Sequence, residues 1–250
     1  MTLEATNKRT FVVGDIHGCY DELVDLLDRI GFSANDRVVA VGDLTVKGPK
    51  SREVLDLVIS DSRFSSVMGN QELAVLKRLQ NQDGDYTKAQ KATAKELEDD
   101  RDKYLNLLSS FPLTIDLGSH LVVHDGLRPG IPIEKQDPDD LLELRTLGEE
   151  KSKRRGTAWY KVYRGDKFVL FGHWPRRAIH RGPKAIGLDT GCVYGNRLTA
   201  YLVETGEFFS VPALRPYSRP SKWFYQAPLT GQLPSIQTLM GFPSTESIHL

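Results

Sequence analysis

Cysteine is nearly missing from this chain: Cys19 and Cys192 are the only two among 250 residues. Two cannot form a disulfide framework at this length, so the fold must rest on an apolar core, and a reducing setting is expected. Surplus charge is missing too. Lys plus Arg (33) balance Asp plus Glu (33), and the formal net charge is zero. A protein that grips nucleic acid through its phosphates carries a basic excess, so broad non-specific binding is excluded, although a local basic groove is not. No apolar run approaches the roughly 20 residues that span a bilayer, and the opening MTLEATNKRT lacks the apolar core of a secretory signal. A cytoplasmic protein without a membrane partner is the expectation. Internal repeats are absent, and nothing in the sequence speaks to oligomeric state.

What the chain does have is a recurring strand–loop–helix pattern. A β-branched and aromatic run at 11–13 ends at Gly14-Asp15, and 20–30 then carries Leu23, Leu26, Leu27 and Ile30 at helical spacing. Residues 38–41 run into Gly42-Asp43 before a helix at 51–59, and 64–68 run into Gly69-Asn70 before a helix from Gln71 to Leu79. Repeated units of this kind predict an α/β fold with strands buried on both faces. The stretch 80–103 is dense in charge and reads as an exposed helical excursion, either a solvated face or a cap over a site. Strands follow at 113–117, 120–123, 167–171 and 185–188, with a hairpin at 198–203 and 207–211. The division expected is one catalytic domain over 1–211 and a Pro- and aromatic-rich tail, 212–250, packing on its surface.

Five strand ends carry chemistry. GDIHG (14–18), GDLTVKGP (42–49) and GNQE (69–72) close early strands, and VVHDGL (122–127) and FGHWP (171–175) close later ones. Loops at strand C-terminal ends are where α/β folds place their sites. The side chains collected there are two Asp, one Asn and three His, a donor set suited to Mn, Fe, Zn or Co rather than to a thiolate-seeking metal. One carboxylate can bridge two ions, and such a pair clamps a phosphoryl group and activates water near neutral pH. A lone His after a strand is more often structural. His17, His124 and His173, however, all follow apolar runs inside Gly-flanked segments, whereas His120, His180 and His249 do not.

These segments resemble the calcineurin-like metallophosphoesterases, and within them the ApaH-like phosphatases, relatives of bacterial diadenosine tetraphosphatase. The likeness extends over HDGLRPGIPIEKQDPDDLLELR, WYKVYRG and GLDTGCVYGNRLTAYLVE, and spans about 9–211. It implies a four-layer fold, two mixed β-sheets packed face to face and flanked by helices. It also implies two divalent ions, Mn foremost, with Asp15 and His17 on the first, Asp43 as the bridge, and Asn70 and His124 on the second. His173 is left to either ion. Lys47 stands where the family often has a phosphate-binding Arg. Arg128, close after HDG, is placed to hold a second phosphate, and Arg145, read as lying on a helix after Pro138, is a further candidate for substrate contact.

The pattern breaks at two coupled positions. Gln71 replaces the histidine that in the family protonates the leaving group, and Val46 replaces the carboxylate that charges that histidine. A carboxylate without its imidazole would be an unpaired charge, so losing both is coherent. A glutamine amide can hydrogen-bond but not act as an acid. General acid catalysis contributes about 10²–10⁴-fold and matters most for alkoxide leaving groups. The resemblance therefore points to phosphoanhydrides: a dinucleoside polyphosphate, a capped RNA end or polyphosphate. The alternatives are a protein Ser/Thr phosphatase and a metal-binding pseudoenzyme. Asp125, where the family usually has Ala, is either a proton relay beside His124 or a supporting carboxylate.

Overall fold

The computed structural model describes residues 8–148, 156–219 and Phe224. Three short parallel strands open the chain: β1 (Thr10–Val13), β2 (Arg37–Ala40) and β3 (Phe64–Ser66). Each is followed by a helix, α1 (Tyr20–Arg29), α2 (Ser51–Ser60) and α3 (Asn70–Leu79). The late hairpin β11 (Arg197–Leu202) and β12 (Phe208–Pro212) adds to the other edge of β1 antiparallel, giving the order β12-β11-β1-β2-β3. A second five-stranded sheet has the order β4-β5-β8-β10-β9. Its strands are β4 (Thr114–Asp116), β5 (His120–Val123), β8 (Phe168–Phe171), β10 (Ala185–Gly187) and β9 (His180–Arg181), with β5, β8 and β10 parallel; β6 (Thr146–Leu147) and β7 (Thr157–Ala158) form a separate antiparallel pair.

Strand alternation assembles these sheets into layers. Phe11, Val13, Val38 and Ala40 face the helices of the first sheet, whereas Val12 and Val39 join Val122, Leu170 and Ile186 of the second sheet in a shared core between the two. Leu121, Val123, Val169 and Phe171 face the opposite way, against Trp159 and Tyr160 of the short helix α7 (Trp159–Val162). Successive strand residues point to opposite faces, so strands that are apolar throughout must be covered on both sides.

The charged stretch 80–103 is not a free excursion. It folds as α4 (Lys88–Glu96), a 3₁₀ turn (Glu98–Asp100) and the start of α5 (Arg101–Ser110), and both helices pack against α3. Gln90, Thr93, Ala94 and Leu97 turn inward while the charged positions face solvent. Of the tail, 213–219 lies along the 191–196 loop and over α1: Tyr217 and Ser218 N–H donate to the Val193 carbonyl, and Leu214 N–H and the Tyr217 hydroxyl donate to Glu22 Oε1. The rest of the tail, Phe224 apart, lies outside the described residues. Cys19 and Cys192 are free, buried and side by side, their sulfurs and a Glu22 oxygen all within 4.8 Å of one another. No helix among the described residues is long and apolar enough to cross a membrane.

The first sheet is tied to α1 by a buried carboxylate. Asp36 accepts from Arg9 Nε at 2.8 Å and from Ser33 N–H and Oγ at 2.7 and 2.9 Å. The Arg9 hydrogen bond, ahead of burial acting the other way, holds its carboxyl below the usual range. Its stabilisation is therefore present above the unfolded carboxyl value and lost as pH falls through the lower folded one. Asp36→Ala is expected to reduce unfolding free energy by about 2 kcal/mol at pH 7, and the deficit should shrink below about pH 4 in urea melts.

Candidate metal centre

The parallel strands of both sheets point their C-terminal ends at one place. β1 delivers Asp15 and His17, β2 delivers Asp43, and β3 leads into Asn70 at the start of α3; β5 delivers His124 and β8 delivers His173. Reaching inward requires unusual backbone. His17, Asp43 and His173 have φ of 50°, 50° and 61°, and Val46 and Lys47 in the same loop have 68° and 72°. Five of the six non-Gly residues with positive φ among those described thus lie in the site's loops. Each costs on the order of 1–2 kcal/mol, strain that persists where the surrounding fold over-determines it, as at functional sites.

The donor atoms form two groups that share one carboxylate. Oxygen and nitrogen atoms of Asp15, His17 and Asp43 lie within 4.8 Å of one another, and so do those of Asp43, His124 and His173. Asp43 divides its oxygens between them: Oδ2 is 3.4 Å from His17 Nε2, and Oδ1 is 3.3 Å from His124 Nε2. Asn70 Oδ1 (3.3 Å) and His173 Nδ1 (3.1 Å) also close on His124 Nε2. His173, which the sequence left to either group, sits with His124.

A proton count shows what this arrangement fits. His124 Nδ1 lies 2.8 Å from the Val41 carbonyl and His17 Nδ1 lies 3.0 Å from the Thr45 carbonyl. A carbonyl can only accept, so each of those nitrogens carries the ring proton, leaving Nε2 bare toward the centre. His173 turns Nε2 toward Asp125 Oδ2 at 3.5 Å and Nδ1 inward. Burial, reinforced by Lys47, pulls the His17 imidazole down to about 3, and burial with the Arg145 charge pulls His173 well down. The histidines are thus neutral. Around His124 Nε2 lone pairs of nitrogen and oxygen converge with no proton between them, and at His17 Nε2 only the Lys47 ammonium approaches, an arrangement stabilised by divalent cations. Asp15 completes the case. Burial first, then Asp189 and Asp43, push its carboxyl well up, a cost that a bound cation would remove.

Around this centre the other expected residues are distributed unevenly. Lys47 is half-buried, with Nζ 2.9 Å from His17 Nε2 and 5.7 Å from the centre of the Tyr194 ring. Arg128 is not turned to the site: its guanidinium is paired with Asp140 of α6 (Pro138–Glu143). Arg145 lies beyond the end of α6 rather than on it, and its Nη2 donates to the His173 carbonyl at 3.3 Å. Of the two arginines, the one adjoining the centre is therefore Arg145. Gln71 donates its backbone N–H to Asp43 Oδ1 at 3.1 Å.

Three neighbours went unassigned in the sequence. Asp189 follows β10 and is buried beside Asp15. Glu72 is fully buried and accepts from Thr45 N–H (3.0 Å) and Oγ1 (2.7 Å). Burial, then Asp43, pushes its carboxyl up to about 7. Gln90 reaches in from α4 to the Gln71 side chain. Glu72 and Asp189 stood inside the motifs GNQE and GLDTGC, where position at a strand or helix end was the available signal.

Asp125 is fully buried against His173, so it belongs among the supporting groups rather than on the surface. A carboxylate behind a ligand histidine fixes the ring and raises its basicity. Asp125→Ala is expected to weaken Mn²⁺ binding by about 10–100-fold in titration calorimetry.

Two triads sharing a carboxylate, set between the sheets of a four-layer fold, define a candidate dinuclear centre. The profile of the calcineurin-like phosphoesterases matches residues 8–208, and the chain belongs to that family. Members of this family are hydrolases that use a dinuclear divalent metal site. The asymmetrical bis(5'-nucleosyl)-tetraphosphatase PrpE of Bacillus subtilis is 30% identical over 232 residues, covering 82% of this chain and 95% of its own length. The symmetrical bis(5'-nucleosyl)-tetraphosphatase of Vibrio parahaemolyticus is 29% identical over 273 residues, covering 82% and 99%. A crystal structure provisionally assigned as a diadenosine tetraphosphatase superposes with a TM-score of 0.73 at 35% identity, covering 84% of this chain and 95% of the other. A Saccharomyces cerevisiae protein serine/threonine phosphatase, 15% identical with a TM-score of 0.58, shares the fold.

Proposed function

We propose that this chain hydrolyses the phosphoanhydride bonds of dinucleoside polyphosphates, with divalent ions, Mn²⁺ foremost and Fe, Zn or Co as alternatives, held by Asp15, His17 and Asp43 on one side and Asp43, Asn70, His124 and His173 on the other. Bound there, the ions would supply positive charge for the phosphoryl oxygens and a nucleophile drawn from water near neutral pH. The chain's own part is to hold three imidazoles neutral and oriented, through the Thr45 and Val41 carbonyls and Asp125. The N-terminus of α3 adds a positive dipole end beside the same point.

The observation that carries the substrate class is Gln71. It is rooted on the shared carboxylate, where a group acting on the leaving oxygen would stand, and it cannot release a proton. An alkoxide leaving from serine or threonine needs one. A nucleotide or phosphate, with a pKa of roughly 6, does not. The names of the relatives support the same reading. The cavity beside Asn70, about 410 Å³, favours a nucleoside over a long polyanion such as polyphosphate or capped RNA. Its lining includes Asp83, Asp85, Asp139 and Glu143 against the single cation Lys77, and like charges repel. Free thiols at Cys19 and Cys192 accord with a reducing cytoplasm.

The test is single-turnover hydrolysis of diadenosine tetraphosphate by the Mn²⁺-loaded protein and by Gln71→His. Rates equal to within about threefold are expected, because the anhydride needs no acid. Hydrolysis by the His variant alone would instead mark the protein as a metal-binding pseudoenzyme.

A further inference from the structure

The two ends of a glutamine amide differ in chemistry: the oxygen accepts and the nitrogen donates. Here one backbone group decides which end points where. Thr87 is the N-cap of α4, and its N–H can only donate; it donates to Gln90 Oε1 at 2.8 Å. Thr87 Oγ1 accepts from the Gln90 N–H at 3.2 Å, closing a reciprocal cap. With its oxygen taken by Thr87, Gln90 turns its NH₂ outward from the cap and meets Gln71 Oε1 at 3.1 Å. The Gln71 oxygen is therefore engaged with α4. Its NH₂ is the end that α4 does not engage, on a residue whose backbone N–H is held by Asp43 Oδ1 and which follows Asn70 directly.

We propose that Gln71 is a hydrogen-bond donor of fixed polarity to the departing oxygen of the substrate, and that Gln90, set by Thr87, is the positioning residue that fixes that polarity. This rests on the phosphoanhydride reading above. In the step, the oxygen of a water bonds to phosphorus and the scissile P–O bond breaks, its electron pair going to the departing phosphate oxygen. One water proton stays on the new phosphate oxygen and the other goes to solvent. Gln71 transfers nothing. It stabilises the charge that develops on the departing oxygen, the one service an amide can render where an acid is missing. The charged stretch 80–103 thus acquires a role: α4 carries the group that orients the donor.

The experiment uses the Mn²⁺-loaded full chain with diadenosine tetraphosphate and with phenyl phosphates of graded leaving-group pKa. Gln71→Leu is expected to lower kcat by about 10–100-fold, with KM little changed and the loss growing as the leaving group becomes more basic. The deciding variant is Gln90→Glu. It keeps an acceptor for Thr87 and a polar bridge to Gln71, so the helix cap and the fold are retained. Its second carboxylate oxygen, however, can only accept, which forces the Gln71 amide to rotate and face its own oxygen toward the departing anion. Gln90→Glu should therefore be at least as slow as Gln71→Leu, with the same steepened leaving-group dependence, in a chain that still melts cooperatively. The new charge acting on its own would slow the Gln71→Leu background too, whereas loss of donor polarity leaves the double variant Gln71→Leu/Gln90→Glu no slower than Gln71→Leu. Wild-type rates and slope in Gln90→Glu, or a flat loss across the series in Gln71→Leu, would overturn the proposal. If the wild type cleaves the phenyl series but not diadenosine tetraphosphate, the phosphoanhydride reading fails, while the slopes still decide the role of Gln71. Cleavage of neither substrate class counts against both.

Discussion

Asp43→Asn is expected to abolish measurable turnover, a loss of about 10³-fold or more, while leaving the stability of the metal-free protein close to the parent's. The two halves of this expectation have one cause. Asp43 is the carboxylate that both donor triads share, one oxygen 3.4 Å from His17 and the other 3.3 Å from His124. An amide has one accepting end, so a single substitution strips an anionic ligand from both groups. In the metal-free protein the same carboxylate acts in two directions: burial pushes it up, but His124, His17, Lys47 and the Gln71 N–H together hold it below its usual range. It lies fully buried near Asp15 and Glu72, whose carboxyls are pushed up by burial and by neighbours that include Asp43. Neutralising it relieves that repulsion and gives up its own favourable partners, and the two offset. Differential scanning calorimetry separates the effects. Saturating Mn²⁺ should raise the melting temperature of the parent by about 10 °C, from a linkage term of about 4 kcal/mol at a thousandfold excess over Kd. The variant should show little of that rise.

The second large effect removes no donor at all. Gly69→Ala is expected to lower turnover by about 10²-fold, because a displacement of about 1 Å in the reacting geometry has that consequence. A methyl on Gly69 would overlap the Asp43 backbone nitrogen, the Asp43 carboxylate and the Glu72 carboxylate. Asp43 must then move, and Asn70 and Gln71 with it. The backbone at Gly69 has an ordinary conformation, so the glycine is required by close approach rather than by strain. Gly42 differs: its φ is +89° and an added methyl would also meet His124 Nδ1 at 2.8 Å. Overpacking of this kind costs about 1–3 kcal/mol, so Gly69→Ala should still fold, and Mn²⁺ affinity measured beside kcat will show the displaced ligands.

Much of this centre was legible before any coordinates. Asp15, His17, Asp43, Asn70, His124 and His173 each follow a short apolar run inside a segment that carries a glycine, and parallel strands must send such positions to one edge of the layered fold. Strand identity was legible for a related reason: runs apolar on both faces announce sheets covered on both sides.

What was not legible depends on directions that chain distance does not set. Arg128 is close in sequence to His124, yet its side chain pairs with Asp140, whereas Arg145, past the end of α6, returns to the His173 carbonyl. The place of His173 turns on its left-handed backbone, φ 61°, which points Nδ1 at His124 and Nε2 at Asp125. Gln90 was hidden most completely. It lies 19 positions from Gln71 in a stretch whose charge suggested a solvated face, and its role exists only because α4 packs on α3.

A centre that lacks an acid is suited to anhydrides rather than to phosphoserine. The most direct measurement compares kcat/KM of the Mn²⁺-loaded protein on diadenosine tetraphosphate and on a phosphoserine peptide. Preference for the anhydride by at least about 10²-fold is expected, the lower range of what general acid catalysis contributes. Equal or faster turnover of the phosphopeptide would contradict it.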